Sequence, residues 1–340
     1  METPTVCQES VWNISMLQAS ILVVSRTPEL ANRLIDSLNE AYSGADDSIE
    51  VLLSWNGTQD DEAMIKAGRF GQQIAQRDPY HFASNMNNLA KKAKGEFLIF
   101  ANDDLIADPG AIDVAIERLK SREDVGIVGA QLRTSTGSLA HAGIHFTAYG
   151  SPYHQLEHFA PYDHAASARE RLVPAVTGAF FAMRRLEFLQ IELTESFNVC
   201  GEDVLLSLQT RERLNKQVLY CPAMSGIHDA ESTRSKFEQQ QANADDMKRM
   251  RTSWLEMLQR ADKADVLIEL NAAQVEAEDL RGLCSEAIAS CHKLALEIES
   301  QTLHQAHLTK EHLESSLLQA ENRRLRARVQ QLENLAREQR

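Results

Sequence analysis

The 340-residue sequence predicts an α/β fold: a mostly parallel sheet sandwiched by helices, followed by a C-terminal α-helical segment. Three observations carry this. Short apolar runs rich in β-branched residues alternate with amphipathic stretches over the first two thirds of the chain. All eight Pro lie at or before Pro222 and fourteen of fifteen Gly at or before Gly226, so turns end there and long helix begins. Apolar residues make up 43% and charged residues 25%, enough for a sizeable core with an ordinary soluble surface.

Ile21-Leu-Val-Val24 reads as a buried strand. Leu30, Leu34, Ile35 and Leu38 then recur at helical spacing over 28–42, with Thr27 and Pro28 as N-cap and first helical residue. Ile49-Glu-Val-Leu-Leu53 is a second strand, closed by the turn Asn56-Gly57. Residues 84–93 read as helix, Phe97-Leu-Ile-Phe100 as a third strand, 110–120 as a helix behind Pro109, and Val125-Gly-Ile-Val128 as a fourth strand. Val176 to Arg185 is an apolar strand entered through Gly178-Ala179; a helical stretch follows at Val204–Leu214, then a strand at Val218–Cys221. The β-α-β-α-β order favours parallel strands, whose ligands sit at the carboxyl ends.

Three polar groups fall at such ends: Ser25-Arg26, Trp55-Asn56 and Asn102-Asp103-Asp104. Two carboxylates and an amide are hard oxygen ligands, suited to Mg²⁺ or Mn²⁺ on a diphosphate. The same three residues also suit an Asx-capped turn. Glu202-Asp203 opens a helix, where the dipole alone favours acids, and where a carboxylate at a pocket mouth can also take a hydroxyl proton. His228 leaves a strand and is either a polar loop residue or a metal ligand.

The net charge of −14 disfavours a protein that coats nucleic acid, while a bound divalent cation can still admit a nucleotide. No apolar run of about 18 residues occurs, and the N-terminus lacks a basic start followed by an apolar run. The five Cys are scattered and read as free thiols. The location expected is cytoplasmic, or peripheral at the inner face of the membrane. Neither a Gly-x-x-x-x-Gly-Lys nor a Gly-x-Gly-x-x-Gly cradle is present. His154-Gln-Leu-Glu157-His158 fits a zinc-binding short helix, but five residues match by chance often; an acceptor contact or surface loop is the expectation.

Taken in order, these pieces resemble the family 2 glycosyltransferases of the Rossmann-like GT-A fold, and in particular members that build bacterial surface polysaccharides. The resemblance covers roughly residues 18 to 236. Asn102-Asp103-Asp104 is similar to the family's metal-binding Asp-x-Asp signature, which makes Asp104 the metal-side carboxylate. The stretch from Ser84 to Glu96, with Asn87-Asn88, resembles the Asn-rich helix before that strand. Gly137 to Gly143, with His141, resembles a Gly-x-x-x-His-Ala-Gly segment, and Thr177-Gly178-Ala179 resembles the acceptor-side strand. Glu202-Asp203 resembles the Glu-Asp pair whose Asp is the inverting base, and His228 resembles the His that completes the metal or diphosphate site. The resemblance implies a hexosyl- or deoxyhexosyltransferase with a UDP- or dTDP-linked sugar donor and a glycan or lipid-linked acceptor. Its sites would be Asp203 and Glu202 for catalysis; Ser25, Arg26, Trp55, Asn56, Asn87, Asn102 and Asp103 for the nucleotide sugar; Gly178, Ala179 and His141 toward the acceptor; Asp104 and His228 for metal.

Two departures stand out. Trp55 occupies the place of a base-contacting Asp; an indole can stack on a base but accepts no hydrogen bond. Leu205 lies where relatives carry a further acid. They leave a second reading, a non-catalytic scaffold of the same fold that binds partners through its tail. The organisation expected is an N-terminal extension (1–17), the catalytic domain (18–236) and a helical tail (237–340). In the tail, Trp254, Leu255, Leu258, Ala261, Val266 and Leu270 suggest helix packing. Over about 308–338, Leu318, Leu325 and Leu332 fall at heptad position d, with Asn322, Val329 and Ala336 at a. Glu321 and Arg328 at g then meet Arg326 and Glu333 at e of a second copy, opposite in sign both times, which favours a parallel dimer.

Overall fold

The computed structural model describes residues 17–157, 159–197, 199–229 and 240–338. The expected N-terminal extension and His158 therefore lie outside the described residues, Leu17 excepted. The chain opens with β1 (Ala19–Ser25), α1 (Pro28–Ala41), β2 (Ile49–Trp55), α2 (Gln59–Glu62) and β3 (Gly71–Gln76). It continues through α3 (Phe82–Lys92), β4 (Phe97–Asn102), β5 (Leu105–Ala107), α4 (Ala111–Ser121) and β6 (Val125–Arg133). Four short strands follow: β7 (Leu139–His141), β8 (Ile144–Phe146), β9 (Pro152–His154) and β10 (Arg171–Leu172). Then come β11 (Phe180–Arg184), α5 (Arg185–Ile191), α6 (Glu202–Leu214) and β12 (Gln217–His228). Two helices end the chain, α7 (Gln240–Arg260) and α8 (Lys263–Glu338).

The main sheet runs β10-β12-β6-β11-β4-β1-β2-β3, with β5 on β12 and β7 on β6. The β1–β2, β1–β4, β2–β3 and β6–β12 pairs are parallel. Strands β1 and β2 are buried at every position, because helices cover both faces. Phe97, Ile99, Phe180 and Leu219 join them in one core with Leu34, Leu38, Ile112 and Leu119 of the helices.

Strand β11 is antiparallel to both of its neighbours, β4 and β6. Among the described residues no crossover helix separates β6 from β11. The chain leaves the carboxyl edge of the sheet, makes the β7–β10 excursion, and re-enters from that same edge. The start of β11 therefore lies beside the ends of β1, β2 and β4. Strand β3 escapes a reading from sequence because Gly-Gln-Gln-Ile-Ala-Gln shows no apolar alternation; it is the exposed edge of the sheet.

Residues 154–157 do not form a helix: His154 ends β9, residues 155–157 turn, and Leu156 takes φ 57°.

The first compact unit extends through Asp279, and residues from Leu280 form a second. Within the first, Trp254 and Met257 of α7 pack on Leu208 of α6, and Phe146 stacks on Trp254 with ring centroids 4.1 Å apart. Val266 and Leu270, expected to pack, are exposed, while Arg211 pairs with Glu269 at 2.5 Å. In α8 every side chain from Cys284 to Arg328 is exposed. Among the described residues, no helix is long and apolar enough to cross a membrane.

Candidate active site

The parallel register sets the ends of three strands level: Ser25 pairs with Trp55, and Val24 with Asn102. The N–H of Asn102 donates to Ala179 O at 2.9 Å, which brings the entry of β11 to the same edge. Ser25 Oγ donates to Asp103 Oδ2 at 2.7 Å and so orients that carboxylate. Burial pushes the Asp103 carboxyl above its ordinary range; the Ser25 hydroxyl opposes this and the Asp104 charge adds to it.

Asp104 and His228 face each other. His228 Nε2 lies 3.1 Å from Asp104 Oδ1 and 3.3 Å from Asn102 Nδ2. His228 is carried there by the antiparallel pairing of β12 with β5, opposite Leu105. Despite that proximity, Asp104 Oδ1 is buried without a hydrogen-bond partner among the described residues. A buried carboxylate oxygen left unmatched is costly, and a cation would satisfy it. A carboxylate and an imidazole fit one Mn²⁺ or Mg²⁺ ion. No group of three His, Cys, Asp or Glu side chains among the described residues is arranged to hold a metal ion, so the protein would supply two ligands here and phosphate or water the rest.

Asp203 sits in the first turn of α6. Its Oδ2 accepts from the N–H of Gly178 at 2.6 Å and its Oδ1 from the N–H of Val204 at 2.8 Å. These two bonds fix the carboxylate over the start of β11. A Cβ at Gly178 would lie 3.3 Å from Asp203 Cβ, a tight contact. Gly201, the N-cap, has φ +116°, and a Cβ there would meet Met250 Sδ at 2.7 Å. Asp246 of α7 is fully buried, and its Oδ2 accepts from the N–H of Val199 at 2.7 Å and of Cys200 at 3.3 Å. A helix of the supposed tail thus pins the loop that presents Glu202 and Asp203.

Burial, then the neighbouring Asp203 charge, pushes the Glu202 carboxyl up to about 7. Between the ordinary 4.5 and about 7 the folded chain keeps a proton that the unfolded chain has lost, so stability falls as pH rises through that window. Glu202→Gln is expected to stabilise the fold at pH 8 by on the order of 2–3 kcal/mol and to give no gain near pH 4.5. Urea unfolding at the two pH values checks this; an equal gain at both would show that ionisation is not the cause.

Beside these groups a cavity of about 480 Å³ opens at the end of β2, lined by Trp55, Asn56, Gln59, Glu62, Arg77 and Asp78. Arg77 binds Glu62 through two bonds, of 2.7 and 2.6 Å. Asn56 Nδ2 donates to Asp78 O, which leaves Asn56 Oδ1 buried and without a partner among the described residues. A second cavity of about 470 Å³ includes Gln18, at the opposite end of β1, and holds none of these groups.

Three sequence expectations need correction. Trp55 is only 2% exposed, Gly57 lies against its ring, and its Nε1–H donates to Thr58 O at 2.8 Å; it walls the cavity and cannot offer a face to a base. Asn87 does not face a nucleotide sugar. It is buried, and its amide binds Leu193 O (2.9 Å), Leu193 N–H (2.9 Å) and Glu195 Oε1 (3.2 Å), so it positions the loop after α5. His141 is buried too and cannot touch an acceptor. Its Nε2 accepts from the N–H of Gly143 (3.3 Å) and of Thr177 (3.4 Å), which places its proton on Nδ1, donated to His154 Nδ1 at 2.9 Å. Burial, then His154, lowers its pKa well below the ordinary value, so the ring stays neutral and braces the entry to β11.

Arg26, Asn56, Asp103 and Glu202 stand at the cleft with Gly178 behind Asp203, while Ala179 is buried in the core and reaches this edge only through its carbonyl. Tyr80, which no motif signals, joins them at the rim of the cleft. It is 59% exposed. The surrounding protein, then Glu202 and Asp103, raise its phenol above the ordinary range, with Arg26 opposing and Asp104 adding. Tyr80 thus stands within electrostatic reach of all four charged groups.

A mixed sheet of ten strands with its charged groups gathered along one edge is the architecture of the GT-A glycosyltransferases. The profile of the family described as "Glycosyltransferase like family 2" matches residues 24–252, and the chain belongs to this family. Over 226 residues it is 31% identical to the O-antigen biosynthesis protein RfbC of Myxococcus xanthus, a match covering 61% of this chain and 17% of that protein. The mannosyltransferase PcManGT of Pyrobaculum calidifontis, solved with GDP-Man and Mn²⁺, superposes with a TM-score of 0.52 at 13% identity, covering 80% of this chain and 75% of that one. GalNAc-T7, solved with UDP, GalNAc and Mn²⁺, gives a TM-score of 0.49 at 13% identity over 63% of this chain and 44% of that one. At these identities the structural likeness concerns the fold.

Proposed function

We propose that the chain is an inverting transferase that moves a sugar from a nucleoside diphosphate to an acceptor hydroxyl, with Asp203 as general base. One observation carries this reading. Asp104 and His228 on one side, and Asp203 on the other, are joined along a single edge through Asn102, Ala179 and Gly178. The donor sits between them: its base in the cavity at Asn56 and Arg77, its diphosphate toward Ser25, Arg26 and Asp103. Asp104 and His228 would hold a divalent cation, Mn²⁺ or Mg²⁺, which offsets the charge of the departing nucleoside diphosphate. Asp203, held by two backbone N–H groups, takes the acceptor proton as the new bond forms. Glu202, kept largely protonated below pH 7, does not compete for that proton.

The acceptor is a glycan or lipid-linked sugar of a surface polysaccharide, as the match to an O-antigen biosynthesis protein suggests. The enzyme works in the cytoplasm or at the inner face of the membrane, where such donors are found. Its tails pair in parallel through the leucine seam, forming a dimer.

UDP, dTDP and GDP, each with Mn²⁺, test the donor site. A ligand that binds only the native state at about 100 times its Kd adds about 2.7 kcal/mol, and Tm rises by several degrees. One of the three is expected to do so only when Mn²⁺ is present. No shift with any of them would sink the reading.

A further inference from the structure

In the exposed part of α8 the seam carries leucines separated by polar residues, with Glu297, Gln301, His304, Glu311 and Ser315 among its core positions in the frame set by Leu318 and Leu325. Leu294, Leu308, Leu318 and Leu325 are 56%, 49%, 69% and 60% exposed. With Leu318 and Leu325 at d, the same heptad frame carried toward the N-terminus puts Leu294 and Leu308 at a and Leu283 at d. It also puts Glu311 at d, where an uncompensated carboxylate weakens a pairing. His307 falls at g and His312 at e of the same layer.

In a parallel pair, a g residue meets the e residue five positions later on the other copy. His307 therefore faces the partner's His312, with Glu311 between them on the core side. Within one copy, His307 Nε2 already stands 3.2 Å from Glu311 Oε1. No three potential ligands converge within a single copy among the described residues, so a complete set requires the second chain. That chain is the fitting occupant: the leucines on both sides of the layer are bare, and the flanking g and e residues (Glu321 with Arg326, Arg328 with Glu333) are opposite in sign. Two imidazoles and one carboxylate are a borderline-soft set, suited to zinc with water in the fourth position.

We propose that the paired tails bind Zn²⁺ or a similar transition metal at two equivalent sites, each formed by His307 and Glu311 of one copy and the partner's His312. The inference rests on the parallel dimer and is separate from the cation of the cleft. The metal neutralises the charged layer and ties the two helices together, so occupancy and dimerisation reinforce each other.

Sedimentation equilibrium of the full chain, first stripped with a chelator and then given Zn²⁺ at tens of micromolar, tests this. The expected result is a dimer dissociation constant at least about tenfold lower with Zn²⁺. His307→Ala and His312→Ala each lose that response, and Asp104→Ala keeps it. Glu311→Leu dimerises more tightly without metal and no longer responds. A dimer that forms without metal and ignores Zn²⁺ would overturn the metal site and leave the pairing standing. A chain that is monomeric with and without Zn²⁺ would overturn both. A response unchanged in His307→Ala and His312→Ala would place the metal elsewhere and overturn the proposal.

Discussion

Asp203→Asn lowers transfer by about 10³-fold while the donor and Mn²⁺ still raise the melting temperature as they do in the wild type. The substitution keeps size and shape. The amide oxygen can still accept from the N–H of Gly178, which binds Oδ2 at 2.6 Å in the native chain. What is lost is an oxygen able to receive a proton. The new NH₂ faces the N–H of Val204, a donor against a donor, so a modest fall in stability accompanies the change. Turnover and donor binding must therefore be measured separately. A variant with wild-type turnover would remove Asp203 as base; one that loses both turnover and the thermal shift would mean that the carboxylate shapes the donor site instead. Asp203 also contributes to the raised pKa of Glu202. In Asp203→Asn that carboxyl is expected to titrate lower than in the wild type, a change that leaves the folded shape untouched.

Much of this site was legible because buried parallel strands announce themselves. Ile21 to Val24 and Phe97 to Phe100 are continuous apolar runs, and the polar residues that follow each run must then lie at one edge of a parallel sheet. Which side chains turn into the cleft was not legible. Asn87 in α3 and Asn102 at the end of β4 are the same residue type, yet the first binds Leu193 and the second reaches His228. An indole at the end of β2 reads as a stacking platform until Gly57 is seen to lie against it. The bond between Asp246 and the loop before Glu202 was hidden for another reason. Asp246 lies in a segment that composition assigns to a separate helical tail, and only the packing of Trp254 and Met257 on α6 brings that helix onto the catalytic domain. Tyr80 follows no periodicity; it is recognisable only from the charges that surround it.

Asp104→Ala is expected to weaken Mn²⁺-dependent donor binding by about 100-fold, close to 2.7 kcal/mol, with little effect on folding. The two halves of this expectation have one cause. In the native chain Asp104 Oδ1 is buried and unmatched, 3.1 Å from an imidazole that does not hydrogen-bond to it. Without a cation the carboxylate pays desolvation and receives little in return. Deleting it removes an unmatched buried oxygen from the metal-free protein, so the melting temperature of the free chain holds or rises slightly. With Mn²⁺ and the nucleotide present the order reverses: the carboxylate is then the protein's anionic ligand, and His228 alone cannot hold a hard cation against water. The diagnostic quantity is the difference between the thermal shifts with and without Mn²⁺, which is large in the wild type and near zero in Asp104→Ala. An ordinary structural carboxylate would behave in the opposite way, with its loss lowering the melting temperature of the free chain and leaving the metal-dependent shift intact.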